Sequence, residues 1–267
     1  MSVILRAGIM NSIGNLLQSA AAENHVTLQP EQPYNSGDSI VVWSSTWPVM
    51  LQIRFDDHLA SAVIWLTADR MDYPVPVGTE HAAYPPSSFT GKPGRIDILA
   101  IPQTIAEESR NLSENSLDRR GHTMYFPHCT ASVETRGEAV FAARNTIDGI
   151  CENRSHGAWP YQSWGDDENP LAEIMIEFGR SVLVKRIEIQ LRADFPHDNY
   201  WQRGTLLFSD GTKEEVRFIK TEEKQVFAFS ERKISWVKLT DLHKDETESS
   251  PFPALTQWTV WGKEMLK

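Results

Sequence analysis

The chain has 267 residues, a formal net charge of −10 at pH 7 and a pI near 5.3. That balance argues against nucleic acid or an anionic membrane as partner, because the average field repels both. With 23% charged and 40% hydrophobic residues the composition is that of a globular chain of about two domains, and no apolar run reaches the ~18 residues of a membrane span.

Residues 1–22 carry one basic residue and an apolar run broken by Asn11, Ser12, Asn15 and Gln18, which is no secretory leader, so cytoplasmic residence is expected. Ile9, Ile13, Leu16, Leu17 and Ala20 recur at spacings of three and four and predict an amphipathic N-terminal helix. Such a helix packs on its own domain or makes a homo-oligomer contact. From residue 25 to 101 the pattern changes to short runs of β-type residues separated by turns, with Ile40/Val42 and Leu51/Ile53/Phe55 alternating as half-buried antiparallel strands do. The prolines of residues 73–78 and 84–86 lack ladder donors, so these read as an edge strand and a surface loop. Thr104 and Glu107 have the spacing of a capping box, which predicts a helix from about Ile105 to Leu112. The polar stretch 113–121 then reads as the linker, completing an N-terminal β-rich domain of residues 1–121 with a second domain over 122–267.

In that second domain Cys129 to Glu134 is strand-like, and Glu138 to Arg144 is a short helix with Val140 and Phe141 inward. Ile174/Ile176/Phe178 and Ile187/Ile189/Leu191 alternate as two strands joined by a turn at Gly179-Arg180-Ser181. Runs near residues 205–208, 215–219, 225–229, 235–239 and 257–261 complete about eight strands. The fold class is mainly β: two β-sandwich-like domains plus short helices, the C-terminal domain a jelly roll.

The series Ala143-Arg144-Asn145-Thr146-Ile147-Asp148-Gly149, Trp164, the run 174–179, Ser209-Asp210-Gly211 and the closing Val260-Trp261-Gly262 resembles the coagulation factor V/VIII type C family, the discoidin-like or galactose-binding-like domains, as in bacterial carbohydrate-binding proteins. The resemblance covers the second half of the chain and implies a sandwich that binds a ligand, often a sugar. It also implies a Ca²⁺ site at the 145–149 loop with Asp148 as metal residue, completed by a Glu whose place is taken here by Gln257. An amide supplies an oxygen but no charge, so a bound Ca²⁺ and a plain Asp-Gly turn cap both stand as readings. Secreted members tie the first strand to the last by a disulfide; the last strand here has no Cys, and Cys129 and Cys151 are expected as reduced thiols.

Two loops concentrate chemistry suited to a neutral glycan. The first holds His156, Trp159 and Tyr161, and the second holds Arg192, Asp194, His197, Asp198, Tyr200 and Trp201. Aromatic faces stack on the C–H faces of a sugar ring, while imidazole, guanidinium and carboxylate groups hydrogen-bond its hydroxyls. His156, Trp159, Tyr161, Arg192, His197, Asp198, Tyr200 and Trp201 are therefore the candidate carbohydrate-binding residues, and the two loops are expected to meet at one end of the sandwich. Arg192 paired with Asp194 or Asp198 also reads as a structural ion pair, and Trp164 as core. No G-x-S-x-G, H-E-x-x-H or phosphate-loop pattern occurs, and the acidic pairs are adjacent in sequence instead of facing one another. The leading reading is a non-catalytic carbohydrate-binding protein. The alternatives are a glycan-active enzyme with an interdomain cleft, or a protein-interaction scaffold.

Overall fold

The computed structural model describes residues 2–91, 94–102, 108–154 and 156–265. Two compact units are present: Met1–Ala106 with His122–Phe126, and Glu107–Gly121 with Pro127–Lys267. Strand predominates in both, and among the described residues every strand pair is antiparallel. Among the described residues no helix is long and apolar enough to cross a membrane.

In the first unit β1 (Ile4–Met10), β2 (Leu16–Glu23), β4 (Ser39–Ser44) and β7 (Arg70–Pro74) form a sheet in the order β2-β1-β4-β7. A second sheet, β10-β6-β5-β8-β3, is built from β3 (His25–Leu28), β5 (Val49–Arg54), β6 (Ala62–Leu66), β8 (Ile96–Ala100) and β10 (Tyr125–Phe126). Strand β7 lies at a sheet edge, as Pro74 at its end favours, but Tyr84 beyond it is buried against Phe89. The N-terminal helix is corrected to a β-hairpin. Leu5, Ala7 and Ile9 point inward with period two, and the Asn11 side chain accepts from the Ile13 and Asn15 amides to turn the chain. Gly14 then takes φ +83°, which a side chain disfavours. Ile13 is left 79% exposed, so the apolar stripe and the oligomer contact drawn from it dissolve.

In the second unit β9 (Arg110–Asn111), β11 (His128–Ala131), β12 (Trp164–Gly165), β13 (Ile174–Arg192), β14 (Trp201–Phe208), β15 (Lys213–Arg217), β16 (Gln225–Lys244) and β17 (Ala254–Glu264) make a jelly-roll sandwich. Its path is β12-β17-β13-β16-β14-β15, with β11 on β13 and β9 on β17. Trp164, Ile176, Phe178, Ile187, Ile189, Leu206, Phe208 and Trp258 fill the core. The turn expected at residues 179–181 is a bulge inside one strand: Glu177 pairs with Trp236 and Val182 with Ile234, so β13 continues along the same partner instead of reversing. Likewise 225–229 and 235–239 are one strand, β16.

Residues 103–107, which include the capping box, lie outside the described residues, and Arg110–Asn111 is strand where helix was expected. Residues 113–121 are no linker. Ser113, Asn115, Ser116, Leu117 and Asp118 are buried in the second unit. Their polarity is satisfied internally: Asn115 donates to the Pro127 carbonyl, Asp118 accepts from His128 and the Cys129 amide, and Arg144 donates to the Ser116 and Asp118 carbonyls. Cys129 and Cys151 are free thiols.

Candidate functional site

Strand β13 ends at Arg192, and the loop that follows meets the loop ahead of β12. The Arg192 side chain is fully buried; it donates to the Tyr161 carbonyl in one loop and to Asp194 Oδ1, 3.2 Å away, in the other. Burial lowers its pKa, partly offset by Asp194, though a guanidinium remains charged at any relevant pH. One cation thus fastens both expected ligand loops to the end of a core strand. Of the two readings of Arg192 the geometry shows the structural one: the side chain is buried, and its bonds to Asp194 and the Tyr161 carbonyl hold the loops together instead of facing a ligand.

Around it stand His156, Tyr161 and His197. The His156 ring lies 5.7 Å from that of His197 and 6.1 Å from that of Tyr161, and it stacks on buried Phe141 at 6.2 Å. His197 is 8% exposed, and its pKa is lowered chiefly by burial, with the Arg192 and His156 charges adding to that. Its Nδ1 faces the Phe252 carbonyl at 3.1 Å. A carbonyl only accepts, so the neutral ring carries its proton on Nδ1 and leaves Nε2 as a bare acceptor. Among the described residues that Nε2 is buried without a hydrogen-bond partner, and so is the Trp159 indole N–H, a donor in the opposite loop. Two further aromatics are exposed, Phe195 of the second loop at 83% and Phe252 at 44%, the latter in the connection between β16 and β17 whose carbonyl meets His197.

Of the residues read from sequence, His156, Tyr161, Arg192 and His197 are brought together, with Trp159 half-buried in the same loop. Trp201 is corrected to a core residue. It is 1% exposed, stacked on Trp164 at 5.7 Å, and donates through Nε1 to Asp166 at 3.2 Å. Tyr200 packs partly against the same core. Asp198 is half-buried, and its charge is felt at Lys220, whose ammonium is held first by Glu248. Between them Asn199 donates to the Asp245 and Ser250 carbonyls and fixes the loop's far end. Sequence reasoning missed Phe252. Its signal was present in Pro251-Phe252-Pro253, an aromatic held between residues that cannot join a ladder.

Next to these loops lies the 145–149 turn. Asp148 is buried, and its Oδ1 accepts from the Ile150 amide at 2.8 Å and from Gln257 Nε2 at 2.7 Å. Its Oδ2 accepts from Gln162 Nε2 at 3.3 Å. Gln257 Nε2 donates a second bond to the Asn145 carbonyl at 2.8 Å, and Gln257 Oε1 accepts from the Gly149 amide at 3.2 Å. Desolvation pushes the Asp148 carboxyl up to about 6, against the pull of Arg144 and of its donors. The turn connects to the site directly, since Gln162 Oε1 accepts from the Tyr161 amide.

No family model matches the chain, and no curated protein matches it. Among solved structures, a chitosan-binding module derived from a chitosanase/glucanase of Paenibacillus sp. IK-5 is similar, at 20% identity and a TM-score of 0.40 over 58% of this chain and 100% of that one. The family 32 carbohydrate-binding module of C. perfringens NanJ, in complex with galactose, matches at 13% identity and a TM-score of 0.42 over 58% and 99%. A Streptococcus pneumoniae fucose-binding module matches at 13% identity and 0.42 over 58% and 96%.

Proposed function

We propose that the C-terminal unit binds a neutral sugar at the loops 156–161 and 192–197 and performs no chemistry on it. The observation that carries this reading is the pair of unsatisfied polar atoms in two loops locked by one buried cation. His197 Nε2 offers an acceptor and Trp159 Nε1 a donor, each buried and neither bonded among the described residues. An unmet buried polar group costs about 1–3 kcal/mol, which a ligand hydroxyl, being donor and acceptor at once, relieves. Phe195 and Phe252 provide apolar faces for the C–H side of the ring, and His156 a polar edge at the rim. Neutral sugars suit this site better than anionic ones, because Asp194 already compensates the Arg192 charge.

A broad glycan array combined with chromogenic glycosides tests the proposal. Binding of a defined sugar without turnover is expected, weakened at least about tenfold, or ~1.4 kcal/mol, in Phe195→Ala and in His156→Ala. Turnover would favour the enzyme reading, and no binding to any glycan would favour the interaction scaffold. Glycan affinity left intact by both substitutions sinks this site assignment.

A further inference from the structure

The resemblance implies a cation in the 145–149 turn, but the donor set in this chain does not fit one. The Asn145 carbonyl and the Asp148 carboxylate converge on a single point, and that point holds the Gln257 amide nitrogen, 2.8 and 2.7 Å from them. Each of the two amide hydrogens meets one of these acceptors, so the lone pairs that a metal ion requires are committed to N–H groups. The other end of the amide is committed too, since Oε1 accepts from the Gly149 backbone N–H. With Oδ1 also bonded to the Ile150 amide and Oδ2 to Gln162, both oxygens of Asp148 are satisfied inside the protein. A Glu at position 257 would instead set a second carboxylate against Asp148, a repulsion that a cation relieves and an amide never creates.

We infer that Gln257 replaces the metal ion: its side-chain amide staples the 145–149 turn to β17 and makes the fold independent of Ca²⁺. The staple reaches the ligand loops without any ion, along Gln257, Asp148, Gln162 and the Tyr161 amide to Arg192. Metal dependence in this chain therefore rests on one atom, the nitrogen or oxygen at the tip of residue 257. The inference does not depend on what the loops bind.

Thermal melting and calorimetric Ca²⁺ titration of the full chain test it. The unsubstituted protein is expected to melt at one midpoint in CaCl2 and in EGTA, with no heat of site binding. Gln257→Glu is expected to melt about 5–10 °C lower in EGTA and to recover when CaCl2 is added. A higher midpoint of the unsubstituted protein in CaCl2, or saturable Ca²⁺ heat at one site, overturns the inference; so does a Gln257→Glu protein indifferent to the ion. If Gln257→Glu does not fold in EGTA, refolding in CaCl2 reads the same choice: folded protein only with the ion supports the inference. If it folds under neither condition, the titration of the unsubstituted protein decides alone. Glycan binding is scored separately, so failure of the sugar reading leaves these outcomes unaffected.

Discussion

Replacing Arg192 by Met removes the guanidinium while keeping most of the aliphatic stem that fills the end of the core. Two interactions go with it. The bond to the Tyr161 carbonyl has a charged donor and is buried, worth about 1.5–3 kcal/mol. The pair with Asp194 is weaker, about 0.5–1 kcal/mol, because the Asp194 side chain is 30% exposed and solvent screens it. The expected loss is therefore about 2–4 kcal/mol, with Arg192→Lys intermediate because one ammonium cannot span both loops as a planar fork does. Urea unfolding followed by Trp fluorescence measures the loss at unchanged m-value, and amide exchange should accelerate across residues 156–161. Sugar affinity should fall further than stability alone explains, since His156 and Tyr161 lose their placement relative to His197. A Met variant within about 0.5 kcal/mol of the parent, with unaltered exchange in that loop, would show that Arg192 does not tie the loops.

Trp201→Ala should cost about 3–5 kcal/mol by emptying a fully buried site, whereas Phe195→Ala should leave stability within about 0.5 kcal/mol and reduce only sugar binding; paired melting and titration separate the two. The Asp148 and Asp166 carboxyls are each raised by burial to about 6, so the folded protein holds protons that the unfolded chain releases near its ordinary 3.8. The contribution of these two groups to stability is therefore present below that window and lost as pH rises from about 4 to 7, by at most ~3 kcal/mol per group. Asp166→Asn should flatten part of that slope in urea titrations at pH 5 and 7, and an unchanged slope would refute the assignment. Glu264 is buried between Arg110 at 2.7 Å and Arg180 at 2.5 Å, which together hold its carboxyl below the ordinary value despite desolvation. Glu264→Gln should destabilise by about 3 kcal/mol and speed amide exchange at residues 110–112.

The parts of the fold that sequence revealed are those where one physical signal acts alone. Alternation in Ile174/Ile176/Phe178 and Ile187/Ile189/Leu191 exposed two buried edges, but Gly179 with Ser181 reads identically in a hairpin turn and in a bulge. Only pairing with β16 distinguishes them. At the N-terminus, the spacing of Ile9, Ile13 and Leu16 satisfies a helical period while Leu5, Ala7 and Ile9 satisfy a strand period. The Asn11 turn settles the matter through hydrogen bonds that a hydropathy pattern does not register. Stretch 113–121 misled for a related reason: polar residues look solvated until Arg144 and His128 arrive from elsewhere in the chain to satisfy them. Of the candidate site, two loops rich in aromatics were legible. Which of those aromatics face inward was not, because Trp201 is claimed by Trp164 and Asp166, 37 and 35 residues distant in sequence, while Phe195 is claimed by neither.

Strand β9 pairs with the end of β17, Asn111 opposite Trp261 and Arg110 opposite Gly262, and Glu264 clamps the pair. The first and last strands of the second unit are therefore neighbours in one ladder. Between β9 and β11, however, the chain leaves this unit to lay Tyr125–Phe126 beside Leu66 and Trp65 in the other sheet, so the stretch from β9 to β17 cannot be excised without taking a strand from the first unit, and the two units are expected to fold as parts of one continuous chain instead of as separable modules.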